Sequence, residues 1–283
     1  MTSPVVLMKA WNVRPKKDLG QNFIRDTATA EMIVARSKVA PHDIVVEIGA
    51  GLGALTLALA PCVQKVYAVE KDRQIAKLLR NELLAAGCEN VNLRIQDVLG
   101  LDFPAIAASA GKRLIVMGNI PYNISSQILV QLIAERGCIK KAALMFQKEL
   151  AQRITSPPGG KSYGRLAVML GYCATVNPIA TVKPAAFYPR PQVDSLVLEI
   201  VFQDSPKPKA EDEAFLFKVV KAAFSKRRKT LKNALAGSIL EMDAKTAGQE
   251  LANAGIDPVR RAETLTVPEF VGLSNRLYQA GYR

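Results

Sequence analysis

The groups most able to do chemistry sit in "GNIPYNIS" (118–125), directly after the apolar run "LIVM" (114–117). An amide, a proline and a phenol at the end of a buried strand are costly without partners, so they call for internal partners or a ligand. Pro121 fixes its own φ and restricts Ile120, which lets the Ile120 carbonyl point outward beside the Asn119 side-chain oxygen. Two such acceptors suit both hydrogens of an exocyclic NH2. Tyr122 offers a ring for a base to stack on, worth roughly 1–3 kcal/mol. Packing of the tyrosine in an ordinary proline turn is the simpler alternative.

A second group is "VVEIGAGLGALT" (45–56), a strand, a glycine turn and a helix start. Gly49 and Gly51 permit close approach of a ligand, and unpaired N–H groups with the positive helix end would favour a negative charge. Glu70, ending the next strand, could accept from both hydroxyls of a ribose. Asp97, ending the third, could accept from an adenine amine or simply cap the following turn. Together these features point to an adenosine compound, either a dinucleotide or S-adenosylmethionine.

Elements must bring these residues to one edge. "DIVVEIG" (43–49), "KVYAVE" (65–70), "VNLRIQ" (91–96), "RLIVMG" (113–118) and "KAALMFQ" (141–147) read as strands alternating with helical stretches. That order predicts an α/β fold with a mostly parallel sheet. The runs at 172–182 and 193–202, joined by "KPAAFYPRPQ", predict an antiparallel hairpin at the sheet edge. Composition breaks at 203–213, after which only helical patterns follow. We therefore expect a first domain over 1–206, with 1–15 as a flexible arm, and a small all-α domain over 207–283.

Net charge is +13 over 283 residues, which favours a polyanionic partner, nucleic acid before membrane. Lys226, Arg227, Arg228, Lys229 and Lys232 recur at helical spacing and are candidates to grip phosphates. Cys62, Cys88, Cys138 and Cys173 form no CxxC pair and His42 is the single histidine, so no metal site is expected and reduced, cytoplasmic cysteines are. No apolar run is long enough for a membrane span, and no signal peptide is read at the N-terminus.

"KKDLGQNF" (16–23), "VEIGAGLGALT", "GNIPYNIS", "QKELAQRI…YGRLAV" (147–168), "FYPRPQVDS" (187–195) and "FSKRRKTLKNAL" (224–235), taken together, resemble the small-subunit (16S) ribosomal RNA adenine dimethyltransferases of the KsgA type. The resemblance runs from about residue 14 to the end. Ile120 stands where a leucine is commoner, and "QDVL" where "GDAL" is. The resemblance implies a Rossmann-like S-adenosylmethionine methyltransferase fold and S-adenosylmethionine as donor, with no metal. Its donor-site positions are Asn22, Ile24, Gly49, Glu70, Asp97 and Asn119, with Asn22 and Ile24 closing over the cofactor. It also implies that Phe187 approaches the target base opposite Tyr122. The substrate would be two adjacent adenosines in the 3′-terminal hairpin loop of small-subunit rRNA, each dimethylated on N6 within a pre-ribosomal small subunit, by a cytoplasmic monomer. A hydride-transfer enzyme, a DNA or protein methyltransferase sharing the NxPY motif, and an assembly factor without turnover are the competing readings.

Overall fold

A computed structural model describes residues 1–16, 18–121 and 123–283. The chain divides into two compact units, residues 1–151 with 176–202 and residues 152–175 with 203–283.

The first unit is built on a seven-stranded sheet. Its chain begins with β1 (Phe23–Ile24), β2 (Ile44–Ile48), β3 (Lys65–Glu70), β4 (Val91–Ile95), β5 (Leu114–Asn119) and β6 (Ile139–Gln147). Then follow β7 (Ala174–Val182), β8 (Phe187–Tyr188) and β9 (Ser195–Phe202). The sheet order is β4-β3-β2-β5-β6-β9-β7, with β1 and β8 pairing separately. Strands β4 through β6 run parallel, and β9 pairs antiparallel with β6 from Lys141↔Val201 to Gln147↔Ser195. The two late runs thus do form the edge, although Tyr172 and Cys173 close the helix Arg165–Cys173 and β7 starts only at Ala174.

Every residue of β2 is buried, as are five of six in β5, because helices cover both faces of the parallel sheet. Between β2 and β5 the chain's crossovers change side, which opens a crevice at the carboxyl ends of these strands. Gly118 lets the two strands meet there, since a Cβ on it would lie 2.4 Å from the Ile48 carbonyl oxygen.

The N-terminal residues differ from the flexible arm expected. Pro4–Ala10 is a helix started by its proline. Leu7 and Met8 are buried with Phe23, Leu52, Ile75 and Leu78, and the Thr2 amide donates to Glu82 Oε2 at 2.7 Å. The apolar content of "PVVLM" makes docking more favourable than solvent exposure.

The second unit is helical, with Glu213–Ala223, Leu231–Leu235, Ala244–Asn253 and Val267–Gln279. A capping box of Thr266 and Glu269 starts the last helix, and Asp212 and Asp243 cap two others. Residues 152–175 group with these helices rather than with the sheet. Tyr163 meets Phe224 edge-on, Tyr172 meets Phe217, and the Tyr172 hydroxyl accepts from the Ala210 amide at 3.3 Å. A single boundary at 206 misses this because the aromatic contacts are far apart in sequence.

Candidate active site

The crevice widens into an open-mouthed cavity. Asn22, Ile24, Gly49, Gly51, Glu70, Asp97, Asn119 and Ile120, all named from the sequence, line it. They come from the ends of β2, β3 and β5, the turn after β4, and a strap at 19–24.

The glycine turn works differently from the sequence expectation. The amides of Gly49 and Ala50 both donate to the Val69 carbonyl, at 2.9 and 3.0 Å. The Gly51 amide donates to Glu70 Oε2 at 2.9 Å, and that of Gly53 to the Ala50 carbonyl at 3.0 Å. These donors serve the fold, so the turn does not present the row of open N–H groups that a pyrophosphate needs. What the glycines provide is conformation and room. Gly49 and Gly51 have φ of 69° and 57°, and a Cβ on Gly51 would lie 3.0 Å from the Phe23 ring.

Glu70 is 8% exposed and holds two backbone donors, Gly51 on Oε2 and the Asp72 amide on Oε1 at 2.8 Å. Each carboxylate oxygen keeps a second lone pair for a ligand hydroxyl. Burial pushes its carboxyl above the usual range, with the two amides pulling the other way. Asp97 is indeed a cap, accepting from the Leu99 amide at 3.0 Å, and its other oxygen meets Lys71 Nζ at 2.7 Å. Lys71 holds its carboxyl below the ordinary range.

Glu47 was not foreseen. It is 1% exposed one residue before the carboxyl end of β2, lines the cavity and accepts from Thr56 Oγ1 at 2.6 Å. Burial pushes its carboxyl up to about 8. The sequence signal was a charge inside the otherwise apolar run "IVVEI". Among the described residues, the charged side chains lining the cavity at neutral pH are thus Glu70 and Asp97 against Lys71, with Glu47 a buried, protonated acid beside them. A strongly cationic chain has concentrated acids at its cavity. That field opposes a pyrophosphate and favours a cation such as a sulfonium. The residues present therefore fit S-adenosylmethionine better than a dinucleotide.

Asn119 Nδ2 donates to the Asn22 carbonyl at 2.7 Å. A carbonyl can only accept, so the nitrogen must face it and Oδ1 is left as the acceptor for a ligand. Ile120 is anchored by its own amide donating to the Met145 carbonyl at 3.1 Å. The turn behind it is closed by Ser125 Oγ donating to the Pro121 carbonyl at 2.9 Å. Tyr122 lies outside the described residues.

Phe187 is not among the cavity-lining residues. It is 2% exposed, pairs with Ile24 across β1 and β8, and belongs to the core around Ile33, Leu55 and Met117. Its side chain is packed in that core and presents no face to the cavity.

Lys226, Arg227, Arg228, Lys229 and Lys232 are exposed. They do not share one continuous helix: Glu213–Ala223 ends before them, residues 224–229 form a turn, and Leu231–Leu235 follows. Lys226 Nζ donates to the Ala236 carbonyl at 3.3 Å, and Arg227 donates to the Lys161 carbonyl. Among the described residues no cluster of His, Cys, Asp and Glu has the arrangement of a metal site, and no helix is long and apolar enough to cross a membrane.

The family model described as ribosomal RNA adenine dimethylase matches residues 12–279. Ribosomal RNA small subunit methyltransferase A of Desulforapulum autotrophicum is 49% identical over 278 residues, covering 98% of this chain and 97% of its own. The protein of that name from Moorella thermoacetica is 41% identical over 280 residues, 96% of each chain. A solved dimethyladenosine transferase from Plasmodium falciparum matches with a TM-score of 0.78 and 25% identity, covering 92% of this chain and 98% of that one. The 23S rRNA methyltransferase ErmE matches with a TM-score of 0.67 and 25% identity, covering 91% of this chain and all of the other.

Proposed function

The chain belongs to the ribosomal RNA adenine dimethylase family, and on that premise we propose that it dimethylates N6 of adenosines in small-subunit rRNA with S-adenosylmethionine as donor. The targets are two adjacent adenosines of the 3′-terminal hairpin loop, met in a pre-ribosomal small subunit by a cytoplasmic monomer. The observation carrying this reading is the Asn119 amide, locked by the Asn22 carbonyl with its oxygen left to a ligand, at the rim of an acidic cavity. The preference for the small subunit rests on relatives named for it at 41–49% identity, against 25% for the enzyme named for 23S rRNA.

In this reading Glu70 holds the ribose hydroxyls and Asp97 the adenine amine of the donor. Asn22, Ile24, Gly49 and Gly51 shape the remaining walls. When bound, the donor supplies a methyl group already activated on a sulfonium. The chain's own task is to improve a poor nucleophile. An adenine N6 lone pair is delocalised into the ring. Asn119 Oδ1 and the Ile120 carbonyl accept its hydrogens and favour a tetrahedral nitrogen, an interaction that strengthens toward the transition state. No general base is needed before attack, since the proton can leave afterwards to water. The base must first leave its stack, and Tyr122 offers the face on which it rests. The exposed basic turn of the helical unit grips phosphates.

The test is to treat unmodified small subunits and unmodified large-subunit rRNA with the protein and labelled donor, then map the methyl groups by mass. Two adjacent dimethyladenosines near the small-subunit 3′ end are expected. Label on large-subunit rRNA, DNA or protein instead would refute the substrate assignment.

A further inference from the structure

Asp72 follows the ribose-holding Glu70 by two residues, yet neither Asp72 nor its partner Lys16 lines the cavity. Its side chain is 2% exposed and its two oxygens do different work. Oδ1 caps the helix Arg73–Ala85, accepting from the Gln74 amide at 2.9 Å. A cap needs only that one oxygen. Oδ2 instead reaches back across the sequence to the N-terminal strap. It meets Lys16 Nζ at 2.9 Å and accepts from Gln21 Nε2 at 3.1 Å. Gln21 Oε1 in turn accepts the Lys16 amide at 2.8 Å, so the two ends of this segment are tied to each other as well as to Asp72.

The segment so held forms one wall of the cavity through Leu19, Gly20, Gln21 and Asn22. It also bears on the amide at the reaction centre. The Asn22 carbonyl orients Asn119, and the Asp18 carbonyl accepts from Asn123 Nδ2 at 3.2 Å. On the other side, the Asp72 amide donates to Glu70 Oε1. One buried aspartate therefore joins the ribose acid, the strap and, through the strap, the catalytic amide.

We infer that Asp72 is a positioning residue whose Oδ2, with Lys16 and Gln21, latches the strap of residues 18–22 over the donor cavity and thereby holds Asn119 in its working orientation. This rests on the reading of the cavity as an S-adenosylmethionine site. An open strap costs donor affinity, because one wall is lost, and turnover, because the Asn119 amide loses the carbonyl that sets its direction.

Asp72→Asn separates the latch from the cap. Asparagine caps helices as well as aspartate does. With its oxygen kept on Gln74, its NH2 faces Lys16 and Gln21, donor against donor. Lys16→Met removes the cation and keeps the apolar stem. Three readouts are taken. In the donor-free chain, amide hydrogen exchange in residues 18–22 should rise about tenfold in either variant, while the helix 73–85 keeps its protection. Affinity for S-adenosylmethionine, measured without RNA, should fall about tenfold, and turnover should fall further. The double variant should lose no more than the worse single one, because both break the same contact. Unchanged exchange in 18–22, equal loosening of the helix 73–85, or losses that multiply in the double variant would each overturn the latch. Should the wild-type chain bind no S-adenosylmethionine, the functional reading fails, and the exchange measurement still decides whether Asp72 holds the strap.

Discussion

Replacing Glu70 by Gln exchanges one carboxylate oxygen for an NH2 and asks what that carboxylate holds. In the native site Oε2 accepts the Gly51 amide at 2.9 Å and Oε1 the Asp72 amide at 2.8 Å. Glutamine has one oxygen, so one of two buried donors is left without a partner, a loss of roughly 1–3 kcal/mol. Burial already pushes the Glu70 carboxyl above its usual range, so a neutral side chain recovers part of that by removing a desolvated charge. A net destabilisation of about 1–2 kcal/mol is expected. Ligand affinity should suffer more. Two ribose hydroxyls donating to an anion are each worth about 1 kcal/mol more than donating to an amide, which gives about 2 kcal/mol or roughly thirtyfold in Kd. Calorimetric titration with S-adenosylmethionine and with S-adenosylhomocysteine reads this directly, beside urea unfolding of the ligand-free chain. The two ligands share the ribose, and only the first carries a positive sulfur. A ribose contact predicts similar losses for both. Undiminished affinity for S-adenosylhomocysteine would refute the assignment of Glu70 to the hydroxyls.

Asn119→Ala should lower the single-turnover methylation rate on the order of 10²–10³-fold, the scale of one lost transition-state hydrogen bond, while donor affinity changes only a few-fold; a rate near wild type would remove the amide from the mechanism. Glu47, raised to about 8 by burial, keeps a proton in the folded chain that the unfolded chain releases near its ordinary value. Its contribution to stability is therefore full at acid pH, falls as pH rises toward 8, and is gone above it. Glu47→Gln should flatten that decline by up to about 1.4 kcal/mol per pH unit in urea midpoints, leaving the share due to Glu70, which is shifted in the same direction; an unaltered pH slope would count against it. Charge reversal of Arg228 and Lys229 together should reduce the salt dependence of rRNA affinity by about one unit of slope per lost phosphate contact, with affinity for S-adenosylmethionine unchanged. An unchanged salt slope would show that the turn does not touch RNA.

The parallel strands were legible because β-branched runs of five or six residues alternated with helical periods, and the edge pair because no helix lay between its runs. Residues at strand ends were equally legible, since carboxyl ends of adjacent parallel strands share one rim, and Glu70, Asp97 and Asn119 fall there. Contacts made through space were not. Nothing in "GAGLG" says that its amides turn inward to Val69 and Glu70. Nothing in "KAAFSKRRKTLKN" marks where one helix stops and another starts, because lysine and arginine suit helix and turn alike. Phe187 was named from the motif, and its burial in the core around Ile33, Leu55 and Met117 could not be read from the motif's letters. The helix Pro4–Ala10 was passed over because a short apolar segment has no stability of its own and gains it from the surface it lands on.

The oxygen that steers Asn119 belongs to the main chain of Asn22, not to its side chain. Every residue type carries that oxygen. Single-letter changes at this position would alter the cavity wall and still present the same steering atom, so drift in sequence leaves it standing. Sensitivity shifts instead to spacing: one residue inserted or removed between Gly20 and Phe23 would carry the oxygen away while every motif letter remained. In this enzyme family, the length of a loop deserves the scrutiny usually given to its lettering.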